Sequence, residues 1–95
     1  VTQDEISELD NMNLYLDVNG RRHQTGNTNL MIFSFNFLIS HLSNYITLMP
    51  GDIITTGTPP GVGLGMNPPK FLKNGDEMVL KVDNLGQQIT KVIEE

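Results

Sequence analysis

The sequence has no cysteine, so neither a disulfide nor a thiolate metal site can form. It is also poor in positive charge. Six Lys and Arg stand against eleven Asp and Glu, a net charge of −5 and a pI near 4.8. Nucleic acid and anionic membrane surfaces both call for a basic stripe, and the chain has none to offer. No apolar run approaches the roughly 20 residues that span a bilayer, and no signal peptide is visible. The first residue is Val1 and not Met, from which a longer parent chain is expected. The lack of cysteine is compatible with a cytoplasmic location, and that is the expected one. Ninety-five residues with 38% hydrophobic content allow a single domain with a modest core.

What is present is concentrated in one stretch. All five prolines and five of the nine glycines lie between positions 50 and 69. Met49-Pro50-Gly51-Asp52 is turn chemistry, with proline fixing φ and glycine free to take φ > 0. Ile53, Ile54, Thr55 and Thr56 are all β-branched, so a short buried strand is expected over 52–56. Gly57 removes the side chain where that strand ends, and Pro59 and Pro60 stiffen the exit. Gly61, Gly63 and Gly65 keep the following loop bare. Hydroxyls and free backbone N–H groups at a strand end suit a carboxylate or a phosphate. No Gly-Lys-Ser/Thr follows, so this is not a nucleotide phosphate loop, and the glycines lack dinucleotide-binding spacing. On the residues alone, a ligand loop and a merely rigid connection both stand.

Around it the pattern is mostly β. Leu14, Leu16 and Val18 alternate with Tyr15, Asp17 and Asn19, and Asn19-Gly20 signals a hairpin. Arg21 to Gln24 should return as the partner strand, with Gly26-Asn27-Thr28-Asn29 breaking it. Ser34 is a candidate N-cap, and Phe35, Leu38, Ile39 and Leu42 form one apolar helical stripe. Phe37 and His41 lie off that stripe. Met78, Leu80 and Val82 alternate in a strand over 77–83, and a last strand is expected over 87–93. The prediction is a β-rich α+β chain with one helix at about 34–45, laid on a mostly antiparallel sheet. Asp4, Glu5, Glu8 and Asp10 read as a solvated lead-in, because the neighbours Asp4 and Glu5 cannot share a face. His23 reads as a surface strand residue and His41 as an exposed or capping one. Asp52 and Asp76 each follow a glycine at a strand entry and read as turn carboxylates.

Several motifs in register resemble the fumarylacetoacetate hydrolase family. They are Val1-Thr2-x-Asp4-Glu5, Val18-Asn19-Gly20, Gln24-x-Gly26-Asn27-Thr28, Met31-Ile32-Phe33, Asp52 through Gly63, and Pro68-Pro69-Lys70-Phe71-Leu72-Lys73-Asn74-Gly75-Asp76. Gly63-Leu64-Gly65-Met66-x-Pro68-Pro69 looks like the ureidoglycolate lyase and 2,4-diketo-3-deoxy-L-fuconate hydrolase branch. The resemblance implies that residues 1–95 are the C-terminal portion of a catalytic domain of mixed β-sandwich or roll type. It implies a Mg²⁺- or Mn²⁺-dependent, homodimeric enzyme acting on 2-oxo or 1,3-diketo acids, with a small carboxylate substrate as partner. Family metal ligands are a Glu-x-Glu pair and a later Asp, and this chain contains no Glu-x-Glu. The resemblance therefore puts the metal ligands, the substrate lysine and the His-Glu water-activating pair before Val1. It leaves substrate binding to Thr56, with Gly57 and Thr58 shaping the wall, and leaves the isolated chain inactive. The only cations near the loop are Lys70 and Lys73. The alternative is a non-catalytic β-rich piece used for packing or oligomerisation.

Overall fold

The structure, a computed structural model, describes residues 1–95. Strand β1 (Asn13–Val18) turns through Asn19 and Gly20, at φ +50 and +74, into β2 (Arg21–Asn27). Positive φ at both turn residues matches the twist of the strands it joins, which is why Asn-Gly stands there. Strand β3 (Glu77–Val82) pairs with the other side of β1, and β4 (Gly86–Lys91) pairs with β3. The result is a four-stranded antiparallel sheet in the order β2-β1-β3-β4, the β-rich α+β architecture expected.

Register sets two unlike faces. Leu14, Leu16 and Val18 stand opposite Val82, Leu80 and Met78, forming one apolar face. On the other face Arg22 pairs with Asp17 and lies 4.3 Å over the Tyr15 ring. β2 runs three residues further than the sequence predicts. Gly26 and Asn27 pair with Leu14 and Asn13 and do not break the strand. Between Leu16↔Gln24 and Asp17↔Arg22 the register shifts, which leaves His23 as an extra, bulged residue.

Helix α1 (Phe35–Ser43) starts where Ser34 accepts a hydrogen bond from the Phe37 N–H at 3.2 Å. Phe35, Leu38 and Leu42 are half-buried, while Ile39 faces outward. Contrary to expectation, α1 is not laid closely on the sheet: the substantial pairings of elements are all between strands, and Phe35 and Leu38 of α1 face the Leu14 side across a cavity. The apolar sheet face is already covered in part by the loop that follows Thr56.

Residues 52–56 are the clearest correction. They form no strand, and Ile53 is 92% exposed where a buried strand was predicted. β-branching favours extended backbone, but a strand exists only when a neighbour takes its N–H and C=O groups, and none does here. The core is correspondingly small. Met12, Val18, Gly26 and Thr28 are the four buried residues. The accessible surface is 7720 Å², against about 5,500 Å² for a folded monomer of this mass. The radius of gyration is 15.7 Å, against about 12 Å for a compact domain of this length. These residues expose roughly 2,200 Å² more than a self-contained domain would.

Candidate functional site

The loop after Thr56 is strapped to β2 at three points. The Gln24 side-chain Nε2 donates to the Thr58 hydroxyl at 2.8 Å and to the Pro59 carbonyl at 2.7 Å. The Pro59 ring rests on Gly26, where a β-carbon would approach it to 3.0 Å. Gly61, at φ +112, presses its backbone against the carbonyl of the bulged His23. Further on, Gly63 lies against Lys70, whose N–H donates to the Gly63 carbonyl at 2.9 Å. Gly61 and Gly63 are therefore needed for close backbone contact and do more than keep the loop bare. Gly57, at φ +92, has open space on every side.

The strap divides the apolar sheet face into two cavities. The one on the Leu14 side, about 470 Å³, contains Thr56, Gly57 and Thr58 together. Asn27 and Thr28 line its polar flank, and Phe33, Phe35 and Leu38 its apolar flank. No charged residue lines it. Thr56 is exposed, and none of the chain's hydrogen bonds engages its hydroxyl. The Thr58 hydroxyl accepts from Gln24 and still has its own hydrogen to donate. Thr28 anchors the floor: its hydroxyl accepts from the Met12 N–H at 2.8 Å and donates to the Leu9 carbonyl at 2.9 Å.

The second cavity, about 670 Å³, is the charged one. Arg21, Lys70, Lys73 and Asp76 line it, with His23, Leu16, Val18 and Met78. Lys70 and Lys73 are thus on the far side of the strap from Thr56. His41 sits between Phe37, on which it stacks, and Tyr45, to which it is tilted, in a line of rings that begins at Phe33, with centroid distances of 4.9, 5.9 and 5.2 Å. The spacing of four sets these rings in a second stripe along α1 and its flanks, beside the apolar one.

Asp52 and Asp76 are turn carboxylates, built alike. Asp52 Oδ2 accepts from the Met49 N–H at 2.7 Å, and Asp76 Oδ2 from the Lys73 N–H at 2.8 Å. Asp76 also accepts from the Asn19 side chain, and these hydrogen bonds, Asn19's first, hold its carboxyl below the usual 3.8. Hydrogen bonds from Thr2 lower Asp4, through its side chain first, and Glu5, through its backbone N–H first. No three His, Asp or Glu converge anywhere, so these residues do not fit a divalent metal.

Gln24 and Gly26 are the site residues that strand reasoning missed. They stood inside a quoted motif, but a strand ending at Gln24 gave them nothing to touch.

Residues 1–93 match the family model for the fumarylacetoacetate (FAA) hydrolase C-terminal region. A Burkholderia ambifaria protein, a hydrolase by name only, is 50% identical over 90 residues, which are 94% of this chain and 32% of that protein. The fumarylacetoacetate hydrolase of psychrophilic Exiguobacterium antarcticum superposes with a TM-score of 0.94 at 35% identity, covering all of this chain and 34% of its own. The fumarylpyruvate hydrolase of Pseudomonas aeruginosa, solved with Mn²⁺ and pyruvate, gives 0.80 at 31% identity over 90% of this chain and 34% of that one. The chain spans about a third of the length of the proteins it matches. It belongs to the fumarylacetoacetate hydrolase family.

Proposed function

We propose that Thr56, Gly57 and Thr58 form the wall that receives the carboxylate of a 2-oxo or 1,3-diketo acid. The enzyme they serve is Mg²⁺- or Mn²⁺-dependent, with its metal held by residues outside these 95. The observation that carries this reading is the unengaged Thr56 hydroxyl beside an open glycine in a cavity of about 470 Å³. A hydroxyl donates to a carboxylate oxygen, and Gly57 leaves the approach unobstructed. Phe33, Phe35 and Leu38 make the opposite flank apolar. Relatives of this fold have been solved with Mn²⁺ and pyruvate, a small 2-oxo acid, which suits such a wall.

The cavity's lack of charge divides the labour. One hydrogen bond to a charged partner contributes about 1.5–3 kcal/mol, enough to orient a substrate but not to hold an anion tightly. Attraction and bond-breaking come from groups beyond this chain, and His23, across the strap, takes no part. In the same reading the enzyme is a cytoplasmic homodimer. The run Gly63-Leu64-Gly65-Met66-x-Pro68-Pro69 supports a reading within the ureidoglycolate lyase and 2,4-diketo-3-deoxy-L-fuconate hydrolase branch. The excess apolar surface supports a second role for these residues, packing against further protein, and the two roles are compatible.

The test is Thr56→Val in the intact protein, assayed on acylpyruvates with Mn²⁺. KM should rise at least tenfold with kcat little changed, because the lost bond acts in ground and transition states alike. A KM unchanged by the substitution removes Thr56 from the site.

A further inference from the structure

We propose that Gln24 is a positioning residue: its side-chain amide clamps Thr58 and Pro59 to β2 and so sets where Thr56 meets a substrate carboxylate. The inference rests on the carboxylate-wall reading above.

The strap has no ordinary way to bind a strand edge. Pro59 and Pro60 lack N–H groups, so this stretch cannot donate to a ladder, and its carbonyls are the available handles. Gln24 supplies what the backbone cannot. Its register opposite Leu16 puts it on the strapped face, and both Nε2 hydrogens are used, on Thr58 Oγ1 and on the Pro59 carbonyl. A carbonyl only accepts, so the atom facing Pro59 must be the nitrogen. The clamp holds one side of Gly57, and Thr56 lies on the other. Gly57 has φ +92, no side chain to pack, and open space where a β-carbon would stand, so only the backbone on either side restrains it. With the clamp, Thr56 is fixed two residues from an anchored point. Without it, the Gly57 backbone is free to swing and the hydroxyl loses its aim.

The test is a double-mutant cycle in the intact protein with Gln24→Met and Thr56→Val, reading the Kd of pyruvate by calorimetry with Mn²⁺ present. Methionine keeps the length of glutamine and removes both donors. Gln24→Met should weaken pyruvate roughly tenfold. In the Thr56→Val background it should add less than about twofold, since Gln24 acts through Thr56. Backbone order parameters of Gly57 and Thr58 in metal-free Gln24→Met should fall, while those of the strands hold.

Full multiplication of the two effects, or a Gln24→Met Kd within twofold of the parent, overturns the clamp. If Thr56→Val weakens pyruvate and Gln24→Met does not, the clamp alone is lost. If Thr56→Val itself changes nothing, the carboxylate wall fails and the clamp's role fails with it. Should Gln24→Met not fold, Thr58→Val removes one of the same bonds from the loop side. It should give part of the weakening and of the loss of order, and no change in either refutes the proposal.

Discussion

Gly61 lies so close to the carbonyl oxygen of His23 that no β-carbon fits between them. The bulge in β2 leaves His23 without a partner across the ladder, and the strap crosses the sheet against its carbonyl. Gly61→Ala therefore meets two penalties at once, a positive φ of 112 and a clash with rigid backbone. We expect a loss of about 1–3 kcal/mol in stability. Gly57→Ala meets only the first and should cost less. Thermal unfolding of the two variants checks the order, and equal losses would show that the strap is not pinned at His23.

Asp76 makes the turn before β3 sensitive to acid. Hydrogen bonds from Asn19 and Lys73 favour its charged form and lower its pKa below 3.8. A lowered folded pKa contributes stability above the unfolded value that is lost as pH falls through the folded one. Stability should thus decline below about pH 4, and Asp76→Asn should flatten that decline while lowering the plateau near neutrality. Parallel slopes for the two proteins from pH 5 to 2 would refute the assignment.

Much of the fold was legible in the sequence because its signals are local. Alternation gave β1 and β3, Asn19-Gly20 gave the hairpin, and Ser34 gave the start of α1. The failures are all non-local. Ile53 to Thr56 carry strand propensity, yet pairing is decided by a partner that the propensity cannot supply. The helix was expected on the sheet, because nothing local says that Pro59 will rest on Gly26 and take that face. The site was half legible. Thr56, Gly57 and Thr58 share a cavity as the motif implied, but Gln24 came to them from 34 residues away.

The exposed apolar surface predicts association of the 95 residues on their own. Ile32, Leu30, Tyr45 and Ile53 are each at least 76% exposed, and surface is in excess by roughly 2,200 Å². Sedimentation of the isolated chain should show mass rising with concentration, together with strong binding of a hydrophobic dye. A dye-silent monomer at high concentration would contradict this.

Divalent metal should bind this chain weakly. Asp52 and Asp76 are spent on their own turns, and no carboxylates converge to give the several oxygen ligands Mg²⁺ or Mn²⁺ requires. Calorimetric titration of either ion into the isolated chain should give no micromolar site. A tight one would place the metal ligands inside these residues.

The carboxylate wall is tested most directly by titrating pyruvate into the intact protein and its Thr56→Val variant with Mn²⁺ present. Valine keeps the shape and the β-branched backbone preference and removes only the hydroxyl, so the melting temperature should hold. We predict a Kd at least tenfold weaker for the variant, the loss of one hydrogen bond to a charged group. Equal affinity, or a fall in melting temperature with the Kd unchanged, would show that Thr56 supports the fold and does not touch the substrate.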